Sequence, residues 1–201
     1  MPLVEATPDH PVRVEVNDGI GTLTMHRPEA RNAINPAMRR ALRSSLAEFE
    51  ASDDVQVMIL TGTDPAFTAG LDLKMIGDDR TSLLSETPIG SSNPFPSRTK
   101  PLIGAINGVA ITGGFELALN CDFLIASEHA RFADTHARVG VMPGWGLTAL
   151  LADAVGRTRA RQISLTGNFV TADQALDWGL VNEVVAHPQL MGRTREIAAA
   201  I

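Results

Sequence analysis

Residues Lys100 to Ala126 read KPLIGAINGVAITGGFELALNCDFLIA, and three local patterns follow one another within them. Leu102 to Ile106 is a short apolar run, as expected of a strand buried on both faces. Gly114 to Asn120 places apolar residues at helical spacing behind paired glycines, and Phe123 to Ala126 is another short apolar run. Strand, helix and strand in such quick succession predict an α/β chain with crossover connections.

The alternation extends in both directions. Upstream, Val12, Val14 and Val16 alternate with Arg13 and Glu15, and Asn17-Asp18-Gly19 offers a turn into the strand-like run Ile20 to Met25, a hairpin pattern. Asn35 stands as an N-cap before Pro36, and Met38, Leu42, Leu46 and Phe49 recur at helical spacing, which predicts a helix ending near Ser52-Asp53-Asp54. Val57 to Leu60 reads as another buried strand, with Thr61 to Pro65 as the loop after it. Downstream come helical patterns at Leu147 to Val155, Arg159 to Thr166 and Thr171 to Trp178, then a last one over Pro188 to Ile201 that looks cut short. Between Gly77 and Lys100, abundant Ser, Thr, Pro and Asp with weak periodicity predict a mobile surface segment able to line a pocket.

The chain has 201 residues, 44% of them apolar and 20% charged, which suits one soluble domain with a sizeable core. A net charge of -6 without any basic run argues against nucleic-acid binding, because a phosphate backbone needs a Lys/Arg-rich face. A single cysteine, Cys121, excludes an intrachain disulfide and suits a reducing, cytoplasmic setting. The N-terminus lacks a basic start followed by an apolar run, so no secretory leader is expected. The most apolar stretch, Pro101 to Ala126, is interrupted by Asn107, Glu116, Asn120 and Asp122, so no membrane span is expected either. The histidines other than His136 show no ligand spacing, which predicts no metal and places His10, His26, His129 and His187 on solvated surface. Trp145 and Phe132 read as core or pocket wall, and Cys121 as a small core residue.

Two segments carry chemistry. Ala66 to Leu73 reads AFTAGLDL, in which small residues let the backbone approach a ligand, or in which Gly70 merely makes a tight turn at positive φ. Asn107 to Leu119 reads NGVAITGGFELAL, where a helix start at Gly113 presents unpaired N–H groups that suit a developing oxyanion. Glu116 lies in the first turn of that helix, either as an acid/base group in apolar surroundings or simply as an acidic residue stabilising the helix end. Two N–H donors and one carboxylate are what the stabilisation of a thioester enolate requires.

Three ordered elements resemble the enoyl-CoA hydratase/isomerase (crotonase) superfamily: Ala69-Gly70-Leu71-Asp72-Leu73, Lys100 to Gly108, and Gly113-Gly114-Phe115-Glu116-Leu117-Ala118. The likeness continues through Cys121 to Ala126, Ala130-Arg131-Phe132, Gly140 to Gly146, Leu165-Thr166-Gly167 and Gly179-Leu180-Val181, and the loop His26 to Ala33 is similar to the family's loop beside the CoA nucleotide. The resemblance implies an α/β spiral of repeated ββα units with C-terminal helices, here cut short, as a single domain over residues 1–201. Its spiral core would run from about 10 to about 185, and the start of the C-terminal helical region would occupy 186–201.

It further implies an acyl-CoA substrate, no cofactor beyond the CoA that the substrate carries, and assembly as a homotrimer or hexamer. Leu71 and Gly113 become the oxyanion-hole donors, Glu116 the first catalytic glutamate, and Ala30, Arg31, Ala69, Gly70, Asp72 and Leu73 the border of the CoA, with Arg31 placed to meet a phosphate. Where the family's hydratases use a second glutamate this sequence has His136. Hydration customarily uses two acid/base groups, so His136 either holds the water, or Glu116 works alone as an isomerase, or the chain binds acyl-CoA without turnover. A merely structural bond from His136 to Asp134 or a backbone carbonyl is the remaining option.

Overall fold

Two antiparallel strands open the fold: β1 (Val12–Asn17) and β2 (Ile20–Met25) pair from Val12↔Met25 to Asn17↔Ile20. Asp18 and Gly19 turn the corner at φ 51° and 77°, the left-handed values that a tight hairpin demands. The computed structural model describes residues 3–72 and 93–201, so Leu73 and the larger part of the Gly77 to Lys100 segment lie outside the described residues. Helix α1 (Pro36–Ala51) starts as the sequence predicts, with the Asn35 side chain accepting from the Met38 N–H at 2.7 Å and Pro36 in the first turn.

From here one strand in each of two sheets is laid down per turn of the chain. β3 (Val57–Gly62) is followed by β4 (Ala66–Thr68), then β5 (Leu102–Ile106) by β6 (Val109–Ile111) and helix α2 (Gly113–Leu119). β7 (Phe123–Ser127) is followed by β8 (Arg131–Ala133) and the single turn α3 (His136–Val139). Next come α4 (Leu147–Val155), α5 (Arg157–Thr166), β9 (Val170–Thr171), α6 (Ala172–Asp177), β10 (Glu183–Val185) and α7 (Leu190–Ala198). The larger sheet has the order β1-β2-β3-β5-β7-β10 and the smaller β4-β6-β8-β9, with β2, β3, β5, β7 and β10 mutually parallel and β4, β6 and β8 likewise. This is the expected α/β spiral of ββα units.

The central strands are buried on both faces, and their residues divide by the two-residue period of a pleated strand. On β3, Met58 and Leu60 face the main core with Leu23, Leu102, Phe67 and Phe115, while Val57 and Ile59 face the opposite side with Ile103, Ile125 and, from α7, Leu190 and Ala198. The short strands β4, β6, β8 and β9 were not legible as periodic patterns. In addition, the described end of the Gly77 to Lys100 segment is anchored rather than mobile: Phe95 is buried at 4% exposure, Arg98 pairs with Asp122 at 2.7 Å, and Thr99 bonds Glu50.

Asn32 ties the loop after β2 to the corner between the two sheets. It is fully buried, and its amide donates to the carbonyls of Thr63 and Ala66, each at 2.7 Å, while its Oδ1 accepts from the Arg27 N–H at 2.9 Å. Its φ of 55° is one that asparagine adopts more readily than most residues. Replacing Asn32 by Ala removes its bonds to the Arg27 N–H and to the Thr63 and Ala66 carbonyls and should destabilise the chain by about 2–4 kcal/mol. Urea unfolding followed by circular dichroism checks this, and a loss below about 0.5 kcal/mol contradicts the tie.

Candidate active site

Three consecutive parallel strands of the smaller sheet deliver the three site segments. β4 pairs with β6 through Ala66↔Val109, and β6 with β8 through Ile111↔Ala133. Neighbouring strands lie about 5 Å apart, so the residues that follow their C-terminal ends become neighbours in space. Ala69-Gly70-Leu71 follows β4, Thr112-Gly113 follows β6, and Asp134-Thr135-His136 follows β8.

Glycine makes the approach of the first two segments possible. A Cβ on Gly70 would stand 2.5 Å from the Ile111 carbonyl oxygen, and one on Gly114 would stand 2.6 Å from that of Thr68. Gly70 also sits at φ 88°, as its turn reading predicts. Leu71 forms a parallel bridge with Ile34, in which the Ile34 N–H donates to the Gly70 carbonyl at 2.8 Å and the Asp72 N–H to the Ile34 carbonyl at 3.0 Å. That pattern leaves the Leu71 N–H on the other side, with no acceptor among the described residues.

Gly113 is the first residue of α2, so its N–H has no acceptor within the helix. A Cβ on Gly113 would lie 3.7 Å from the Leu71 nitrogen. Thr112 before it holds φ 54°, a value unusual for a branched residue, with its N–H donating to Ala133 at 2.9 Å and its hydroxyl meeting that of Thr135 at 2.6 Å. Leu71, Thr112 and Thr135 border a cavity of about 190 Å³ that Ala69, Val139 and Val141 make largely apolar. A wider cleft of about 430 Å³, lined by residues such as Thr7, Arg27 and Glu29, shares none of the predicted site residues.

Glu116 and His136 meet inside the protein. Both are buried, and Oε2 of Glu116 lies 3.5 Å from Nε2 of His136. Oε1 of Glu116 accepts from the Trp145 N–H at 2.6 Å and faces that of Leu147 at 3.4 Å, two donors that sequence reading missed because backbone amides leave no trace in residue type. On its other side the His136 ring meets Oδ1 of Asp134 at 2.7 Å. Burial disfavours the imidazolium, but the bonds to Asp134 and Glu116 and their charges outweigh it and raise the His136 pKa to about 9. Burial also pushes the Asp134 carboxyl up, and the bonds from His136 and Ser164 more than offset it, holding it below the usual carboxylate range.

The described residues among those expected along the CoA are brought together as well. The Ala69 N–H donates to the Arg31 carbonyl at 3.0 Å, which aligns the 30–34 segment with the 69–72 segment. Ala30 is half-buried and Arg31 exposed. Asp72 pairs with Arg27 at 3.2 Å, clasping the two segments, and Leu73 lies outside the described residues.

The other histidines are not simply solvated, as had been expected of them. His10, His26 and His187 are half-buried and bonded, respectively, to Ser45, Thr63 and Ser127, so that each bridges two chain segments, and the ring of the exposed His129 stacks on His187. Cys121 is buried, which pushes its thiol up to about 12 and makes it an inert core residue. No group of metal-ligating side chains and no helix long and apolar enough to cross a membrane occurs among the described residues.

Known proteins resemble this chain in sequence and in fold. A family model described as enoyl-CoA hydratase/isomerase matches residues 15–201. The probable enoyl-CoA hydratase 1, peroxisomal, of Arabidopsis thaliana is 41% identical over 91% of this chain and 69% of its own length. The short-chain-enoyl-CoA hydratase of Clostridium acetobutylicum is 36% identical over 94% of this chain and 74% of its own. The crystal structure of an enoyl-CoA hydratase from Mycobacterium tuberculosis superposes with a TM-score of 0.87 at 51% identity, covering 94% of this chain and 81% of that one. The family match and these relatives show that the chain belongs to the enoyl-CoA hydratase/isomerase family.

Proposed function

We propose that the chain is an enoyl-CoA hydratase that adds water across the 2,3 double bond of a 2-enoyl-CoA. The observation that carries this reading is the buried Glu116–His136 contact at 3.5 Å, together with the Leu71 and Gly113 N–H groups, which have no acceptor among the described residues. Leu71 and Gly113 take the roles of oxyanion donors, meeting the thioester oxygen as negative charge develops there. Glu116, aligned by the amides of Trp145 and Leu147, receives a proton from water, and His136 is the second acid/base group customary in hydration. A second acid/base group at this distance favours hydration over an isomerisation run by Glu116 alone, and over binding without turnover.

The CoA lies along Ala30, Arg31, Ala69, Gly70, Asp72 and Leu73 in this reading, supported by the alignment of the 30–34 and 69–72 segments. The exposed Arg31 suits a phosphate. The reading needs no cofactor besides the CoA of the substrate; a homotrimer or hexamer accords with the sequence resemblance, and a cytoplasmic setting with the single cysteine, Cys121.

With crotonyl-CoA the chain should form 3-hydroxybutyryl-CoA, and Glu116→Gln should lower kcat by about 10²–10⁴-fold. Transfer of a double bond in a 3-enoyl-CoA without hydration would make it an isomerase instead, and undiminished hydration by Glu116→Gln would remove this residue from the mechanism. The oxyanion donors are tested through Gly70→Ala, whose Cβ would strike the Ile111 carbonyl and push the Leu71 amide out of place. A fall in kcat of about 10²-fold with substrate still bound is expected, and wild-type kcat in a folded Gly70→Ala protein refutes the assignment of Leu71.

A further inference from the structure

Asp134 takes no part in the steps above, yet its burial and bonding are unusual for a carboxylate. It is 3% exposed, its Oδ1 accepts from both Nδ1 of His136 at 2.7 Å and the His136 backbone N–H at 3.2 Å, and α5 brings the Ser164 hydroxyl to it. On the far side of the same ring stands Glu116. A buried Asp-His-Glu row results, with the imidazole between two carboxylates.

We propose that Asp134 is a positioning residue for the hydration proposed above, and so dependent on that reading: it holds His136 as a cation aimed through Nε2 at Glu116, so that His136 protonates the substrate and is recharged by Glu116. Proton and electron pair balance at each step. Water forms its bond from oxygen to C3 as Glu116 takes one of its protons, and the electron pair of the C2–C3 double bond moves into the enolate, whose oxygen meets the amides of Leu71 and Gly113. C2 then takes the proton from Nε2 of His136, and the N–H electron pair stays on the ring. Glu116, now carrying a proton, faces a neutral His136 across 3.5 Å, and transfer to Nε2 restores both starting states. One water is consumed, with no oxidant or reductant.

Asp134 is needed twice in this cycle. Its charge favours the cation, and its bond to Nδ1 keeps the proton of the neutral ring on that nitrogen, which leaves the Nε2 lone pair facing Glu116. Among the described residues the charged groups meeting the ring are Asp134, after β8, and Glu116, on α2. The loop before α4 offers Glu116 only amides, and α5 offers Asp134 only a hydroxyl.

The test follows the His136 ring by nitrogen-15 NMR during a pH titration of the unliganded protein, beside the pH dependence of kcat with crotonyl-CoA. His136 in the unsubstituted chain should stay protonated through neutral pH and titrate near 9. Asp134→Asn should lower that value by at least about one unit. It should reduce kcat on the order of 10²-fold with little change in KM. An acid acts only while protonated, so the loss of kcat on the alkaline side should move toward lower pH in the variant. Should Asp134→Asn not fold, Ser164→Ala, which weakens only the support of the Asp134 charge, should shift the titration in the same direction by less. An ordinary titration near 6.5 in the unsubstituted chain, or one unchanged in a folded variant, overturns the proposal. Absence of any hydration would instead defeat the proposed function, while the ring titration would still decide how Asp134 acts on His136.

Discussion

The site depends on one packing constraint: the backbone of the β4 turn and the start of α2 lie too close to admit side chains on Gly70 and Gly114. A methyl group at either position would stand within 2.6 Å of a carbonyl oxygen, well inside van der Waals contact. Parallel pairing of β4 with β6 brings the two segments alongside, and the glycines set how near they come. The Leu71 and Gly113 amides are neighbours because of that spacing, since no side-chain contact is required to place a backbone donor. Asn32, buried at the sheet corner, fixes the same turn from its other side.

Burial then sets the electrostatics. Glu116, Asp134 and His136 are each nearly inaccessible to water. Two buried carboxylates facing one another would repel until one of them took up a proton. An imidazolium between them removes that conflict, which is why the pKa of His136 rises despite the burial that opposes its charge. The histidine standing where the family resemblance expects a glutamate therefore places a ring that favours the cation between two carboxylates, Asp134 and Glu116, which together raise its pKa.

Long elements were legible in the sequence and short ones were not. The hairpin, α1 and α4 show a period and β3, β5 and β7 an unbroken apolar run, and their bounds fall within a residue or two of the reading. β4, β6, β8 and β9 have two or three residues each, too few for any period, although it is these strands that line up the site. The paired glycines, Glu116 and His136 could be read from residue type and motif. The amides of Trp145 and Leu147 could not, because the chain returns to Glu116 only after passing through β7, β8 and α3, and a backbone donor carries no mark in the sequence. The half-buried histidines were misjudged for a similar reason: each is held by a residue distant in the chain or by a carbonyl.

The bridge between Ile34 and Leu71 has a consequence for how this position tolerates change. Parallel pairing engages the carbonyl before Leu71 and the amide after it, and so turns the intervening N–H outward whatever side chain it carries. The donor belongs to the pairing geometry rather than to leucine. The direction of that N–H is thus independent of which side chain residue 71 carries, with proline, which has no N–H, as the one amino acid that removes it outright.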